Sequence, residues 1–337
     1  MFFIFICVKI KIKEIEYNMG FLQKLFGRWS KKKTVESTTK QKIGLALSGG
    51  GARGFGHLGA LKAFEELGVE FDAVAGTSVG ALVGALYCYG YKSDEIIERA
   101  LKLKIKDIRT SKIVFVPSKT SKYEEFIMSL MGDIDIADLR KKFGAVAVDM
   151  VTGEEIVFTE GRLCKVVAGS CAVPMVFDCV KYEDMNLMDG GLANTIPADV
   201  PKMLGCDKVI AVDINKYRGR GTESTKLFDL VLASIRILMK ANCLKGKINA
   251  DILIEPDLKD FKSTSFDGAE EMIKEGYNAV MRQKDEILQM FYPEISGQEV
   301  SKKPKKIKEK KKKFGKDKSV DIEEEIEIFD KELNDES

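Results

Sequence analysis

The sequence predicts an α/β fold in which a mainly parallel central sheet is covered by helices on both faces. Three features point there. Short apolar runs of strand length alternate with helix-length stretches along most of the chain. The first two strand-to-helix junctions are glycine-rich turns, the places where such sheets bind ligands beyond the carboxyl ends of their strands. Hydrophobic side chains make up 45% of the 337 residues, ample for a buried core.

Residues 43–48 (IGLALS) are a short apolar run closed by a glycine cluster, the pattern of a buried strand. Residues 55–67 follow as a helix, because Phe55, Leu58, Leu61, Phe64 and Leu67 recur every third residue and Gly68 stops the run. Residues 71–75 read as a second strand, and 79–89 as a second helix after Gly76. Farther on, 145–150 and 155–159 are strands around a turn at Thr152 and Gly153, and 163–173 is a helix. Residues 208–213 and 251–255 are strand-like, while 227–242 and 269–291 are long helices. The segment 105–132 holds Val114, Phe115, Val116, Phe126, Met128, Leu130 and Met131. It is either ordinary core or the lining of an acyl channel, since Met and Phe adapt to flexible chains.

A formal net charge of +2 conceals a division of the chain. Residues 1–42 carry +7, residues 302–318 carry +9, residues 321–337 carry −8, and the body between carries −6. The expected organisation is a basic N-terminal extension (1–42), one domain (43–295) and a charged, disordered tail (296–337). In the extension, Phe21, Leu22, Leu25, Phe26 and Trp29 recur at helical spacing beside Lys24, Arg28, Lys31, Lys32 and Lys33. Such a helix suits a lipid headgroup layer or a docking place on the body. The basic block bounded by Lys302 and Lys318 is a second candidate contact with an anionic membrane surface. It lacks aromatic interleaving, so nucleic acid is not an expected partner. Residues 1–8 are apolar but too short to span a bilayer and lack a signal peptide's flanks; Met19 is a candidate translation start. The expected location is cytoplasmic, at most peripheral at the inner face of the membrane, and not secreted.

His57 is the only histidine, so any imidazole chemistry must use it. The seven cysteines contain no CxxC pair and several lie in apolar runs, a pattern of reduced structural thiols. No metal or organic cofactor is expected.

Two turns carry the chemistry. Gly49-Gly50-Gly51-Ala52-Arg53-Gly54 matches GxGxxG between a strand and a helix. A dinucleotide site would need an acidic residue at the end of the second strand, and Asp72 stands at its start. The second turn is GxSxG, with Ser78 between Gly76 and Gly80. Placed after a strand and before a helix, it is the pattern of a nucleophile elbow. A serine attacking an ester creates a negative tetrahedral oxygen, and amides of a glycine-rich loop at a helix N-terminus suit that charge. The loop from Gly49 through Gly51, with Arg53 beside it, is therefore a candidate oxyanion hole.

The serine also needs a base. His57 sits three residues into the helix after the loop, a place that favours a packing or capping role over that of a base. The stronger candidate is Asp189, which an apolar stretch delivers to the glycine turn Asp189-Gly190-Gly191. A carboxylate serves as base for a serine hydroxyl when it is desolvated and aimed at it.

These residues together resemble the patatin-like phospholipase family in its compact bacterial form. The resemblance rests on GGGARG at Gly49 to Gly54, GTSVG at Gly76 to Gly80 and DGG at Asp189 to Gly191, in that order. It also includes AGSCAVPMVF at 168–177 and the continuation to DGGLANTIP, and covers residues 43–290. It implies a three-layer α/β/α fold and a Ser-Asp dyad lipid acyl hydrolase acting on phospholipids, lysophospholipids or related esters. By that resemblance Ser78 is the nucleophile and Asp189 the proton acceptor. Gly49, Gly50, Gly51, Arg53 and Gly54 form the oxyanion loop, and His57 is structural. The alternative is a non-catalytic, lipid-binding regulatory protein on the same fold.

Overall fold

The structure, a computed structural model, describes residues 41–103, 117–216 and 224–293. The expected interfacial helix at 21–33, the candidate start at Met19, both charged blocks and Val114, Phe115 and Val116 lie outside these residues. The strands are β1 (Ile43–Leu47), β2 (Ala73–Thr77), β3 (Lys142–Asp149), β4 (Glu155–Phe158), β5 (Val180–Tyr182), β6 (Met185–Asp189), β7 (Lys208–Val212) and β8 (Ile252–Ile254). The helices in the first half are α1 (Phe55–Glu66), α2 (Val79–Tyr89), α3 (Ser93–Lys102) and α4 (Ser121–Met131). In the second half they are α5 (Leu163–Ser170), α6 (Asp199–Met203), α7 (Leu227–Asn249), α8 (Ala269–Met281) and α9 (Lys284–Phe291).

Hydrogen bonding orders the sheet β5-β6-β3-β2-β1-β7-β8, with β4 paired to β3 off this path. β3, β2, β1, β7 and β8 run parallel, whereas β4 and β6 run antiparallel to β3. Alternation along β1 separates the two faces, as the period of two requires. Ile43, Leu45 and Leu47 join the larger core with Leu58, Leu61 and Phe64 of α1 and Met272 of α8. Ala46 faces the other way, with Val209, Ala211, Ile196, Ala198 and Cys243 of α7. The three layers expected from the sequence are thus present.

The register of β3 decides where the site forms. β4 occupies one edge of β3 along Ala145 to Val148. The other edge takes β2 as far as the pair Thr77 and Val146, and β6 from the next residue, where Asp189 pairs with Ala147. β2 is parallel and β6 antiparallel to β3, so their carboxyl ends meet head to head beside two consecutive residues of β3.

Several boundaries differ from those read in the sequence. β2 begins at Ala73 and runs to Thr77. Phe71 was apolar enough to pass for strand, but it is a buried plug standing edge-on to Phe64 and Phe291. The helix expected over 269–291 is broken into α8 and α9 at Gln283, whose side-chain amide is anchored to the Leu253 carbonyl of β8 at 2.9 Å. The helix at 163–173 ends at Ser170, and α7 continues past Asn242 to Asn249. The hairpin of β5 and β6 was not foreseen as strands, because each is short and carries the polar residues of the Lys181–Asp184 region at its turn. In the segment 105–132, Tyr123, Ile127 and Met131 are buried in the core, with Phe126, Met128 and Leu130 packed against it. Of the six cysteines described, all are free; five are buried and Cys179 is exposed.

Candidate active site

Ser78 stands at the junction of β2 and α2 with φ 55° and ψ −127°, a left-handed conformation uncommon for a residue with a side chain. Strain of this kind costs about 1–3 kcal/mol and persists only where the surroundings hold it. Three bonds do so: the Ser78 N–H donates to Ser170 Oγ at 2.9 Å, and the Ser78 carbonyl accepts from Ala81 and Leu82 in the first turn of α2. The flanking glycines are required by close backbone approach. A Cβ on Gly76 would lie 2.3 Å from the Gly80 carbonyl oxygen, and one on Gly80 would lie 2.2 Å from that of Leu47.

The head-to-head strand ends bring the two expected residues together. Ser78 Oγ donates to Asp189 Oδ2 at 2.6 Å, and Asp189 Oδ1 accepts the Gly191 N–H at 2.8 Å. Both side chains are buried, at 5% and 2% exposure. Burial pushes the Asp189 carboxyl up to about 6, while the bonds from Ser78 and from the Gly191 amide oppose that rise. Such a carboxyl is charged at neutral pH yet a better proton acceptor than a solvated aspartate.

His57 lies apart from this pair. It is fully buried, with Nε2 2.8 Å from the Ser48 carbonyl oxygen, which can only accept, so Nε2 carries the proton. Burial lowers its pKa to about 4. His57 is thus a neutral brace under the strand-to-loop junction, in keeping with the packing role expected from its position.

The glycine-rich loop lies against the serine: a Cβ on Gly49 would be 3.4 Å from the Ser78 Cβ. Not every group foreseen as an oxyanion donor points to that use. The Gly49 N–H donates to the Thr195 carbonyl at 3.0 Å. Arg53 donates through Nε to Phe261 O at 2.9 Å and through Nη1 to Asn215 Oδ1 at 3.2 Å. Gly54 is buried where a Cβ would strike Val79, so it sets the packing of the loop on α2. Gly50 and Gly51 are the loop positions that these bonds leave. Asp72 accepts the Ile43 N–H at 2.8 Å at the start of β1, the opposite end of the sheet from the loop.

Two residues of the site were not singled out in the sequence. Ser170, at the end of α5, accepts from the Ser78 amide and donates to Val146 O at 2.5 Å, tying the elbow to β3. Asn215, just beyond β7, donates from Nδ2 to the Gly49 carbonyl and accepts from Arg53, clamping the loop on both sides. The place after a strand end in a parallel sheet was the one signal for Asn215. Among the described residues no group of three or more His, Cys, Asp or Glu side chains converges as a metal site.

Residues 45–202 match the family model described as patatin-like phospholipase, and the matched region contains the loop, Ser78 and Asp189. This chain carries a patatin-like phospholipase domain. Among curated relatives, the neuropathy target esterase sws of Drosophila melanogaster is 30% identical over 236 residues, covering 67% of this chain and 16% of that protein. The human patatin-like phospholipase domain-containing protein 6 is 34% identical over 187 residues, 52% of this chain and 14% of its own length. The chain thus spans about a sixth or less of these two relatives. Among solved structures, VipD from Legionella pneumophila superposes with a TM-score of 0.52 at 15% identity, covering 73% of this chain and 67% of that one. That likeness concerns the fold, and it agrees with the patatin-like α/β architecture expected from the sequence.

Proposed function

We propose that the protein is a serine lipid acyl hydrolase that cleaves carboxylic esters of phospholipids, lysophospholipids or related lipids. The observation that carries this reading is the buried 2.6 Å hydrogen bond from Ser78 Oγ to Asp189 Oδ2 at a strained strand-to-helix turn. The patatin-like phospholipase match over residues 45–202 supplies the lipid substrate class.

In this mechanism Ser78 Oγ attacks the ester carbonyl carbon as Asp189 takes its proton. The negative oxygen of the tetrahedral intermediate is met by the amides of Gly50 and Gly51 and by the N-terminal turn of α2, where unpaired N–H groups and the helix dipole favour negative charge. Asn215 and Arg53 hold that loop in place. Asp189 returns the proton to the departing alcohol, leaving the acyl group on Ser78. Water then attacks the acyl carbon with Asp189 again as proton acceptor, releasing the fatty acid and the free serine.

The test is hydrolysis of a short-chain nitrophenyl ester and of a phospholipid panel by the wild type, Ser78→Ala and Asp189→Asn. Loss of turnover in both variants, with folding intact by circular dichroism, is the expected result. Full activity in either variant overturns the dyad. A wild-type protein that hydrolyses nothing and resists an active-site serine probe would favour the non-catalytic alternative. The basic, aromatic-rich segment 21–33 and the block from Lys302 to Lys318 are proposed as auxiliary contacts with anionic lipid.

A further inference from the structure

The long helix α7 has two unlike faces. Its inner face supports the turn that carries Asp189. The Thr195 hydroxyl donates to Met239 O at 3.1 Å, Asn242 Nδ2 donates to Leu192 O at 2.6 Å, and the Met239 methyl lies where a Cβ on Gly191 would strike it. Cys243 and Gly246 are buried on the same side.

Its outer face is an open apolar seam. Leu227, Leu230, Ile237, Leu244 and Ile248 are exposed by 74, 44, 61, 63 and 73%. With Ser234 and Ala241, also exposed, they recur at alternating intervals of three and four residues from one end of α7 to the other. That spacing makes one continuous stripe on a helix, and Leu238 at 64% widens it. An exposed apolar stripe of this extent marks an interaction surface.

Charge identifies its occupant. Lys226 and Lys240 border the stripe and are exposed, whereas Lys245 on its flank is paired with Glu155 and Asp199 at 3.0 and 2.8 Å. The helix's one acidic residue, Asp229, is occupied by the Ser224 hydroxyl at 2.5 Å. A second copy of the helix packed on this seam would set lysine against lysine and meet small residues at Ser234 and Ala241, poor knobs for a helix pair. Lipid chains fill such indentations, and anionic headgroups complement a lysine border. No described helix is long and apolar enough to cross a membrane, so α7 is suited to lie in an interface rather than to span one.

We propose that the outer face of α7 docks the protein on a bilayer with anionic headgroups, with Leu230, Ile237, Leu244 and Ile248 entering the headgroup boundary and Lys226 and Lys240 meeting phosphates. The purpose of this docking rests on the lipid-hydrolase reading. It brings the Asp189 turn, held by the inner face of the same helix, close to the substrate's own phase.

A single indole reports on the seam directly. The chain has one tryptophan, so Trp29→Phe combined with Ala241→Trp leaves the only indole at an exposed seam position. With vesicles of phosphatidylcholine and phosphatidylglycerol carrying brominated acyl chains, its emission is expected to shift to the blue and be quenched. Adding Ile237→Gln, Leu244→Gln and Ile248→Gln should weaken vesicle partition at least about tenfold and leave turnover of a soluble short-chain ester unchanged. An unquenched indole on vesicles that nonetheless carry the protein down overturns the proposal, since the basic ends alone then hold it. A blue shift without lipid that grows with protein concentration also overturns it, in favour of a second copy. If the short-chain ester is not hydrolysed while the indole is quenched, the hydrolase reading fails and the docking surface stands.

Discussion

Asp189 Oδ2 accepts the Ser78 hydroxyl proton at 2.6 Å although 111 positions separate the two residues in the chain. The contact follows from register: β2 leaves one edge of β3 at Val146 and β6 takes it up at Ala147, so two strand ends point at each other. The proposed base and nucleophile are therefore held by backbone pairing at buried strand ends, and the properties of the pair can be tested through pH, packing and bracing.

The first prediction concerns Asp189 and pH. Its carboxyl titrates at 3.8 when unfolded and is pushed up to about 6 in the fold, chiefly by burial. As proton acceptor it acts when charged, so kcat/KM for a soluble ester is expected to rise with pH through a midpoint near 6 and then level off. Stability moves the other way. Below about 4 both states hold the proton; from about 4 to 6 the native state binds protons that the unfolded state has lost, so wild-type stability falls as pH rises through that window. Asp189→Asn removes this dependence, and by pH 8 the variant should gain on the order of 3 kcal/mol relative to its difference from wild type at pH 3.5. Denaturant melts at the two pH values measure it, and an unchanged difference would falsify the buried-carboxylate account.

Ser170→Ala tests the bridge under the elbow. It leaves the Ser78 amide and the Val146 carbonyl without their shared partner in a buried site. A cost of about 1–3 kcal/mol in thermal or urea denaturation is expected, with a fall in kcat as the strained turn at Ser78 loosens. Ser170→Thr retains the hydroxyl and should recover part of both.

Asn215→Ala should act on the loop rather than on the dyad. It releases the Gly49 carbonyl and one of the bonds to Arg53, so the amides at Gly50 and Gly51 lose their fixed placement. The expected result is a reduced kcat with KM little changed and an unaltered pH midpoint. A shifted midpoint would mean that Asn215 acts through Asp189 instead.

His57→Gln separates bracing from catalysis. The glutamine amide can donate to the Ser48 carbonyl in place of Nε2–H, so activity and pH profile are expected to stay close to wild type. His57→Ala leaves that carbonyl unpaired and opens a cavity, which should lower the melting temperature. The wild-type imidazole also adds an acid sensitivity of its own. Its pKa drops from 6.5 to about 4 on folding, so stability is lost as pH falls through that interval, and both variants should lack this component.

Much of the site was legible in the sequence because its parts are local. The elbow depends on Gly76 and Gly80, two residues either side of Ser78, whose missing Cβ atoms let the backbone of β2, α2 and β1 pass at contact distance. The glycine-rich loop proposed to meet the oxyanion is likewise announced by its glycines, and the lone histidine made a carboxylate the stronger candidate base. The sequence by itself determined the α/β class, most strands and helices, and the residues at the glycine turns. The tertiary structure alone decided which strand ends meet, that Ser170 stitches Ser78 to Val146, that Gly49 and Arg53 are engaged elsewhere, and that α7 turns an apolar stripe outward. The reason is range: a turn's glycines answer to neighbours a few residues away, whereas Asp189, Ser170 and Asn215 answer to partners 111, 92 and 166 residues distant, and the pairing register that joins them leaves no periodic trace in any one segment.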